Sequence, residues 1–378
     1  MTKVLKIGVD VRDLRIAKTG TKTYLEEVCN EFKKLKNPKY QFFFLDTVIP
    51  VYTGENKVLK LIEHFRYQLW KQIILPLIAW VKGCDIVFCT DNFVPYIHLG
   101  YQTVPVFHDA FFFEDPSHYN PIWLWVYKKL AVPAAARSLA VVVPTLYAKE
   151  RIIYFTGFKN DKIAVVYEGP KSFKQISDLN PSQLLKRLKL EPKKYILHVG
   201  VMNKRKNIPM LIRAFKKLKL AGNNEYKLVL TGNRVSKKYS NDYEEINNTI
   251  LENNLQNDII FTDYLNDDEL SEIYKSALFY VFPSVNEGFG IPILESFKHE
   301  IPVIVAGNTC LPEVGGNAVL TFDPYSIDDL FSKMKLILDN KDLQEQLIFK
   351  GKERLKLFSW RQSALDLLLV FERNLQKY

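Results

Sequence analysis

EGFGIPILE, residues 287–295, sets Glu287 and Glu295 eight positions apart with two glycines and a proline between them. The run Ala277-Leu278-Phe279-Tyr280-Val281-Phe282 stands just before it. An unbroken apolar run of that length reads as a buried strand. A glycine loop follows, then a helix with Pro292 in its first turn, where a missing N–H costs nothing. Gly288, Phe289, Gly290 and Ile291 then offer backbone N–H groups at a helix N-terminus, an anion site. Strand, loop and helix in that order predict a phosphorylated ligand with an acid on either side.

The same alternation runs through the chain. Strands are expected at Val4–Val11, Gln41–Leu45, Ile86–Cys89, Thr103–Phe107, Ala140–Val143 and Ile163–Val166. Arg15 to Lys22 reads as a loop containing Gly20, and Thr23 to Leu35 as a helix with Tyr24, Leu25, Val28, Phe32 and Leu35 on one face. A polar segment, Ser172 to Lys194, carries Pro181 and Pro192 and reads as a linker with a short helix. The pattern then restarts with strands at Tyr195–Val199, Lys227–Leu230, Ile259–Phe261, Leu278–Phe282 and Val303–Val305. Two doubly wound α/β domains meeting near residue 172 are expected. The last apolar helix, Ser363 to Leu375, fits either one.

Composition narrows the partners. The 378 residues are 47% hydrophobic and 25% charged, with a formal net charge of +10. That length suits two packed domains, and that charge an anionic partner. The four cysteines, Cys29, Cys84, Cys89 and Cys310, form no CxxC pair and suit no zinc site. They read as buried thiols of a reducing compartment. The N-terminus reads as a strand rather than a signal peptide, and the longest apolar window, Ile73 to Val81, is far short of a membrane span. A cytoplasmic protein is expected. No Walker A motif, GxSxG elbow or HExxH is present, and no GxGxxG follows the first strand.

In open α/β sheets ligands bind beyond the carboxyl ends of the strands, and four loops there carry candidate chemistry. Lys18-Thr19-Gly20-Thr21 follows the first strand, where Gly20 permits close backbone approach. His108 ends the fourth strand and can donate to a substrate hydroxyl, with Asp109 to orient it. Asn203-Lys204-Arg205-Lys206-Asn207 sets cations at a strand-to-helix turn, where they offset charge on a departing phosphate. The 287–295 loop is the fourth: Glu295, about one turn into its helix, reaches a ribose diol, and Glu287 a second sugar. As plain structure, these are a turn, a capped loop, a solvated basic bend and a first-turn glutamate favoured by the helix dipole.

Together the loops resemble the retaining glycosyltransferases of family 4 (glycosyl transferases group 1), of GT-B fold. EGFGIPILES resembles the family's two-glutamate signature, and HVGVMNKRKNIPMLIRAF its donor-phosphate loop, with Arg205 and Lys206 at the cationic positions. FTDYLNDDELSEIYKSALFYVFPS resembles the run from the nucleobase loop to the signature, and LPEVGGNAVLTFDP follows in place. GVDVRDL with Gly20, and FHDAFFFEDP, resemble the sugar and acceptor side. Asp263 stands where a glycine is common, and Pro144-Thr145 where Val-Ser is usual.

The resemblance implies two Rossmann-like doubly wound domains facing across a cleft. Their spans would be 1–172 on the acceptor side and 173–357 for the nucleotide sugar, with 358–378 a helix crossing back. It implies that Gly20, Gly200, Arg205, Lys206, Leu265, Glu287, Gly288, Phe289, Gly290, Ile291 and Glu295 hold the donor. Glu295 takes the ribose, Glu287 and His108 the transferred sugar, and Arg205 with Lys206 the diphosphate. Asp109 and Phe111 fall on the acceptor side. The implied reaction is retaining transfer of a hexose from a UDP- or GDP-linked sugar to a glycan or lipid-linked hydroxyl in bacterial surface polysaccharide assembly. It is a front-face reaction with no metal or cofactor. Trp70 to Lys82, and Trp123, Trp125, Lys128 and Lys129, form basic aromatic patches that suit peripheral contact with an anionic membrane. The rival readings are a GT-B epimerase, a phosphorylase, a non-catalytic sugar-nucleotide binder and a nucleic-acid binder. The phosphorylase lacks a pyridoxal-lysine signature. The nucleic-acid binder lacks any recognition motif, and its basic residues would be spread over the chain.

Overall fold

The structure is a computed structural model that describes residues 4–17, 19–54, 56–173, 181–232 and 242–376. It divides into two compact units, residues 1–169 with 359–378, and residues 170–358.

The first unit holds β1 (Leu5–Asp10), β2 (Tyr40–Leu45), β3 (Ile86–Cys89), β4 (Gln102–Pro105), β5 (Val141–Val143) and β6 (Ile163–Val165). Four pair in the order β2-β1-β3-β4, and a parallel bridge from Val106 to Val142 carries the sheet on to β5 and β6. Every pairing is parallel. The second unit holds β7 (Tyr195–Val199), β8 (Lys227–Thr231), β9 (Ile259–Asp263), β10 (Phe279–Phe282), β11 (Val303–Ala306) and β12 (Val319–Phe322). Their order is β12-β11-β10-β7-β8-β9, also parallel throughout. The order reverses between β7 and β10, which makes their carboxyl ends the switch point where doubly wound sheets bind ligands. Strands β3, β10 and β11 are buried along their full length. Helices cover both faces of such a sheet, which is why these strands read as continuous apolar runs.

Three local expectations change. The first helix runs Thr19–Lys34 rather than from Thr23, so Gly20 lies in its first turn, exposed, with nothing within 4 Å of where a Cβ would stand. Small polar residues are tolerated in a first turn because its N–H groups have no intrahelical acceptors. Lys18 lies outside the described residues. The strand β12 was not expected, because Val319-Leu320-Thr321-Phe322 is short and only its ends are buried. A helix also covers Lys57–Leu69 and continues through a π-turn, Trp70–Ile74, into Leu75–Val81. In it Lys71 is buried rather than a surface cation. Its ammonium lies 2.6 Å from Asp10 and 2.5 Å from Asp91, and the Trp70 indole donates to Asp10 at 3.0 Å. Asp10, Cys89 and Asp91 are the metal-like cluster among the described residues, and the Lys71 ammonium takes the cation's place there.

This buried network has a pH signature. Burial first, then the charges of Asp91 and Asp10, push the Asp13 carboxyl up to about 7, against the pull of Lys71 and Arg12. A carboxyl whose folded pKa exceeds its unfolded value binds its proton more tightly when folded. Its ionisation therefore costs stability as pH rises from about 4. Asp13→Asn is expected to raise the melting temperature over wild type more at pH 8 than at pH 5. An equal change at both would refute the assignment.

The closing helix, Trp360–Leu375, is capped by the Ser359 side chain and packs within the first unit. Phe371 meets Phe88 at 5.5 Å, Trp360 meets Tyr24 at 5.6 Å, and the Ser363 hydroxyl donates to the Tyr167 carbonyl at 2.6 Å. Thr145, at the departure from Val-Ser, caps the Leu146–Thr156 helix, accepting from the Ala148 N–H at 3.0 Å. No helix among the described residues is long and apolar enough to cross a membrane.

Candidate functional site

Two loops leave the switch point of the second sheet, and their side chains meet. After β7, Lys204–Lys206 make a 3-10 turn and Asn207, at φ 52°, starts the Ile208–Leu220 helix. After β10, the glycine loop runs to Gly290, at φ 104°, which starts the Ile291–Lys298 helix with Pro292 in its first turn. Strand pairing of Phe279 with Ile196 and Tyr280 with Leu197 keeps the loops adjacent. The backbone then ties them, with the Arg205 carbonyl accepting from the Val285 N–H at 2.8 Å and from the Ser284 hydroxyl at 2.9 Å.

Glu287 lies at the centre, buried. Its Oε1 accepts from the Lys206 ammonium and, at 2.7 Å, from Ser284. Its Oε2 faces Arg205 Nη1 at 3.4 Å, which also donates to the Asn286 carbonyl at 3.3 Å. Burial pushes the Glu287 carboxyl up. The charges of Lys206 and Arg205 and the hydrogen bonds from Lys206 and Ser284 outweigh it, so Glu287 ends below the usual carboxylate range and stays ionised. Lys206 is itself buried, with its ammonium 4.8 Å from the centre of the Phe282 ring. The cluster is one carboxylate shared by two cations, so a net positive charge remains for an anionic ligand.

Glu295 faces inward from the same helix and does not join this cluster. It accepts from the Tyr274 hydroxyl at 2.7 Å. Burial raises its carboxyl, with the Tyr274 hydrogen bond opposing. Gly288, Phe289 and Gly290 are buried and Phe289 packs on Phe358 at 5.9 Å. No side chain caps the Ile291–Lys298 helix, which starts four residues after Glu287 in the chain. The Cys310 thiol contacts the Glu287 and Phe289 carbonyls at 3.2 and 3.3 Å, a buried structural thiol. Leu265 is buried beyond β9, just after Asp263, whose φ of 57° is the left-handed conformation that a glycine would take there.

Four participants escaped the sequence reading. Ser284 holds both Arg205 and Glu287. His198, on β7, is fully buried. Its Nδ1 lies 3.0 Å from the Val281 carbonyl, its Nε2 has no partner among the described residues, and burial lowers it to about 4, so it is neutral. Tyr274 holds Glu295. Gly232, at φ 136°, follows β8 and lies against Gly200, whose carbonyl oxygen would stand 2.1 Å from a Cβ at 232. Its signal was legible as the Thr231-Gly232 at the end of an apolar run.

In the first unit the expected histidine–aspartate pair does not form. Asp109 accepts from the Phe111 N–H at 3.0 Å in a local turn. The acid beside His108 is the buried Glu168, 3.6 Å from Nδ1, while Nε2 meets the Thr90 carbonyl at 3.0 Å. Burial lowers the His108 pKa, but the nearby Glu168 carboxylate and the Thr90 carbonyl reverse this, and His108 is raised overall. Asp109 bonds locally because an aspartate reaches a backbone N–H two residues on more easily than a neighbour's ring. Phe111 is half-buried and meets Tyr119 at 5.8 Å, whereas Phe112 and Phe113 pack on Tyr127.

Comparison with known proteins finds relatives that share these loops. The family model described as glycosyl transferases group 1 matches residues 182–354, which span the cation turn and the two-glutamate loop. The chain is 26% identical over 291 residues to O-antigen chain mannosyltransferase B of Escherichia coli, covering 76% of this chain and 74% of that protein. It is 27% identical over 289 residues to the serotype-specific mannosyltransferase WbdA of Escherichia coli, covering 75% of this chain but only 35% of WbdA. Its fold matches that of HepE from Anabaena, solved with UDP, at a TM-score of 0.70 and 15% identity over 98% of this chain and 100% of HepE.

Proposed function

From the premise that the chain belongs to the group 1 glycosyl transferases, and is a GT-B glycosyltransferase of the hexosyltransferase type, we propose that it is a retaining mannosyltransferase of bacterial surface polysaccharide assembly. The donor is a nucleotide diphosphate sugar, GDP- or UDP-linked, and the acceptor a hydroxyl of a glycan or lipid-linked glycan at the cytoplasmic membrane face. Two curated relatives are named mannosyltransferases, one of them of O-antigen chains, which supports the sugar and the setting. The carrying observation is the cluster of buried Lys206 and half-buried Arg205 with buried Glu287, which lies on the loop that leads into an uncapped helix.

Chemically, the bond from the sugar C1 to the β-phosphate oxygen breaks while the acceptor oxygen bonds C1 on the same face. The acceptor proton passes to the departing phosphate, and Lys206, Arg205 and the Ile291–Lys298 helix N-terminus stabilise the negative charge that grows there. Donors of this kind in a dry site act as a metal ion would, so none is required in this reading. Glu295 binds the ribose hydroxyls and Glu287 the transferred sugar.

The test is a panel of nucleotide sugars. GDP-mannose is expected to raise the melting temperature, and transfer to mannose-ended glycans to release GDP unaffected by EDTA. Proton NMR of the product should display the donor's anomeric configuration. An inverted product, or loss of turnover in EDTA restored by magnesium, would refute the mechanism; stabilisation by no nucleotide sugar would refute the function.

A further inference from the structure

The helix Lys57–Leu69 contains no buried residue. Its continuation through Trp70–Ile74 and Leu75–Val81 turns Trp70, Leu75 and Ala79 into the core of the first unit. The other side leaves a row of large apolar side chains in solvent: Val58, Ile62, Phe65, Leu69, Ile73 and Trp80. Their spacings of three, four and seven residues keep them on one face over the whole length of the helix. Phe65 is 69% exposed and Trp80 61% exposed. Scattered apolar side chains are ordinary on a protein surface, but a continuous ridge of this length marks a contact site.

Charge selects what covers it. From Lys57 to Lys82 the only acid is Glu63; it is held by Arg12 and lies 3.8 Å from Arg66, and the five cations of the stretch outnumber it. Lys57, Arg66 and Lys82 are exposed along and at the ends of the ridge. A second copy docking on this face about a two-fold axis would bring its own cations against these. Anionic lipid headgroups complement them, while the apolar row enters the acyl boundary. The neighbouring Pro121–Val126 helix, joined to this one through Tyr67, Phe93 and Trp123, adds exposed Ile122 and Trp125.

We propose that the 57–82 helix is a membrane-docking ridge that lies in the interface of an anionic bilayer, with Phe65 and Trp80 as its deepest apolar contacts. The inference deepens the proposed function, since it rests on an acceptor held at a lipid surface. It also relocates the expected basic patch, because Lys71 is committed inside and Lys57, Arg66 and Lys82 take its place.

The test is sedimentation of the full chain with phosphatidylcholine vesicles, with and without phosphatidylglycerol, at low and high salt, without donor. Binding to phosphatidylglycerol vesicles that weakens with salt is expected. Phe65→Ser/Trp80→Ser should weaken it at least about tenfold. Lys57→Ala/Lys82→Ala, which leaves the apolar row intact, should weaken it by about thirtyfold at low salt and much less at high salt. Both variants should keep wild-type transfer to a water-soluble acceptor. If the first fails to fold, the second carries the test. Absent vesicle binding, or binding that neither variant weakens, would overturn the proposal. So would a lipid-free dimer that Phe65→Ser/Trp80→Ser dissociates. Vesicle binding by a protein that transfers no sugar would refute the transferase reading and leave the ridge standing.

Discussion

Lys206→Met is expected to lower turnover about a hundred- to a thousandfold, with a much smaller change in donor affinity, because the ammonium acts most strongly on charge that develops as the phosphate departs. The same change strips the buried Glu287 of its nearest cation. Breaking a buried ion pair on one side costs about 3 kcal/mol or more, so the melting temperature should fall too. The two effects can be separated. Glu287→Gln on the Lys206→Met background removes the stranded charge and should recover much of the stability but none of the turnover. If Lys206→Met alone turns over at the wild-type rate, the cation turn has no part in the reaction.

Gly232→Ala is expected to damage both stability and donor binding. A Cβ at this position meets the Gly200 carbonyl oxygen at 2.1 Å and its carbon at 2.8 Å, and the φ of 136° is closed to L-residues. Backbone cannot swing aside as a side chain can, so the ends of β7 and β8 must part. Overpacking and strain together come to about 3 kcal/mol, and the donor KM should rise about tenfold or more because Gly200 starts the loop that carries Arg205 and Lys206. Gly200→Ala is the contrast. Its Cβ meets the flexible Lys206 chain and His198 at 3.4 Å, so the fold should survive while the lysine is crowded. Equal melting temperatures for Gly232→Ala and wild type would overturn the close-approach argument.

Much of the site was legible because its residues lie in two short segments. Arg205 and Lys206 follow one apolar run and Glu287 another, and a strand-to-helix loop in an open sheet leaves such residues at one edge. The parallel pairing of the second sheet was legible too, since strands alternating with helix-length segments favour it, whereas the strand order was not. Asp263 was a departure in the sequence and becomes ordinary in the structure, where its left-handed backbone accounts for the usual glycine.

Two α/β units, their buried strands and the loops that carry charge were readable along the chain, because periodicity and turn chemistry act over a few residues. The tertiary structure decided which groups pair. Glu287 is held by Lys206, Arg205 and Ser284, partners on the loops after two strands brought together by the register of β7 and β10. Glu168 rather than Asp109 faces His108, and Lys71 turns inward to Asp10 and Asp91. The 57–69 helix, with no residue fully buried, was the element least visible beforehand. Ion pairing and burial depend on what lies across space, where desolvation and distance set the energies, and a local pattern holds no record of either.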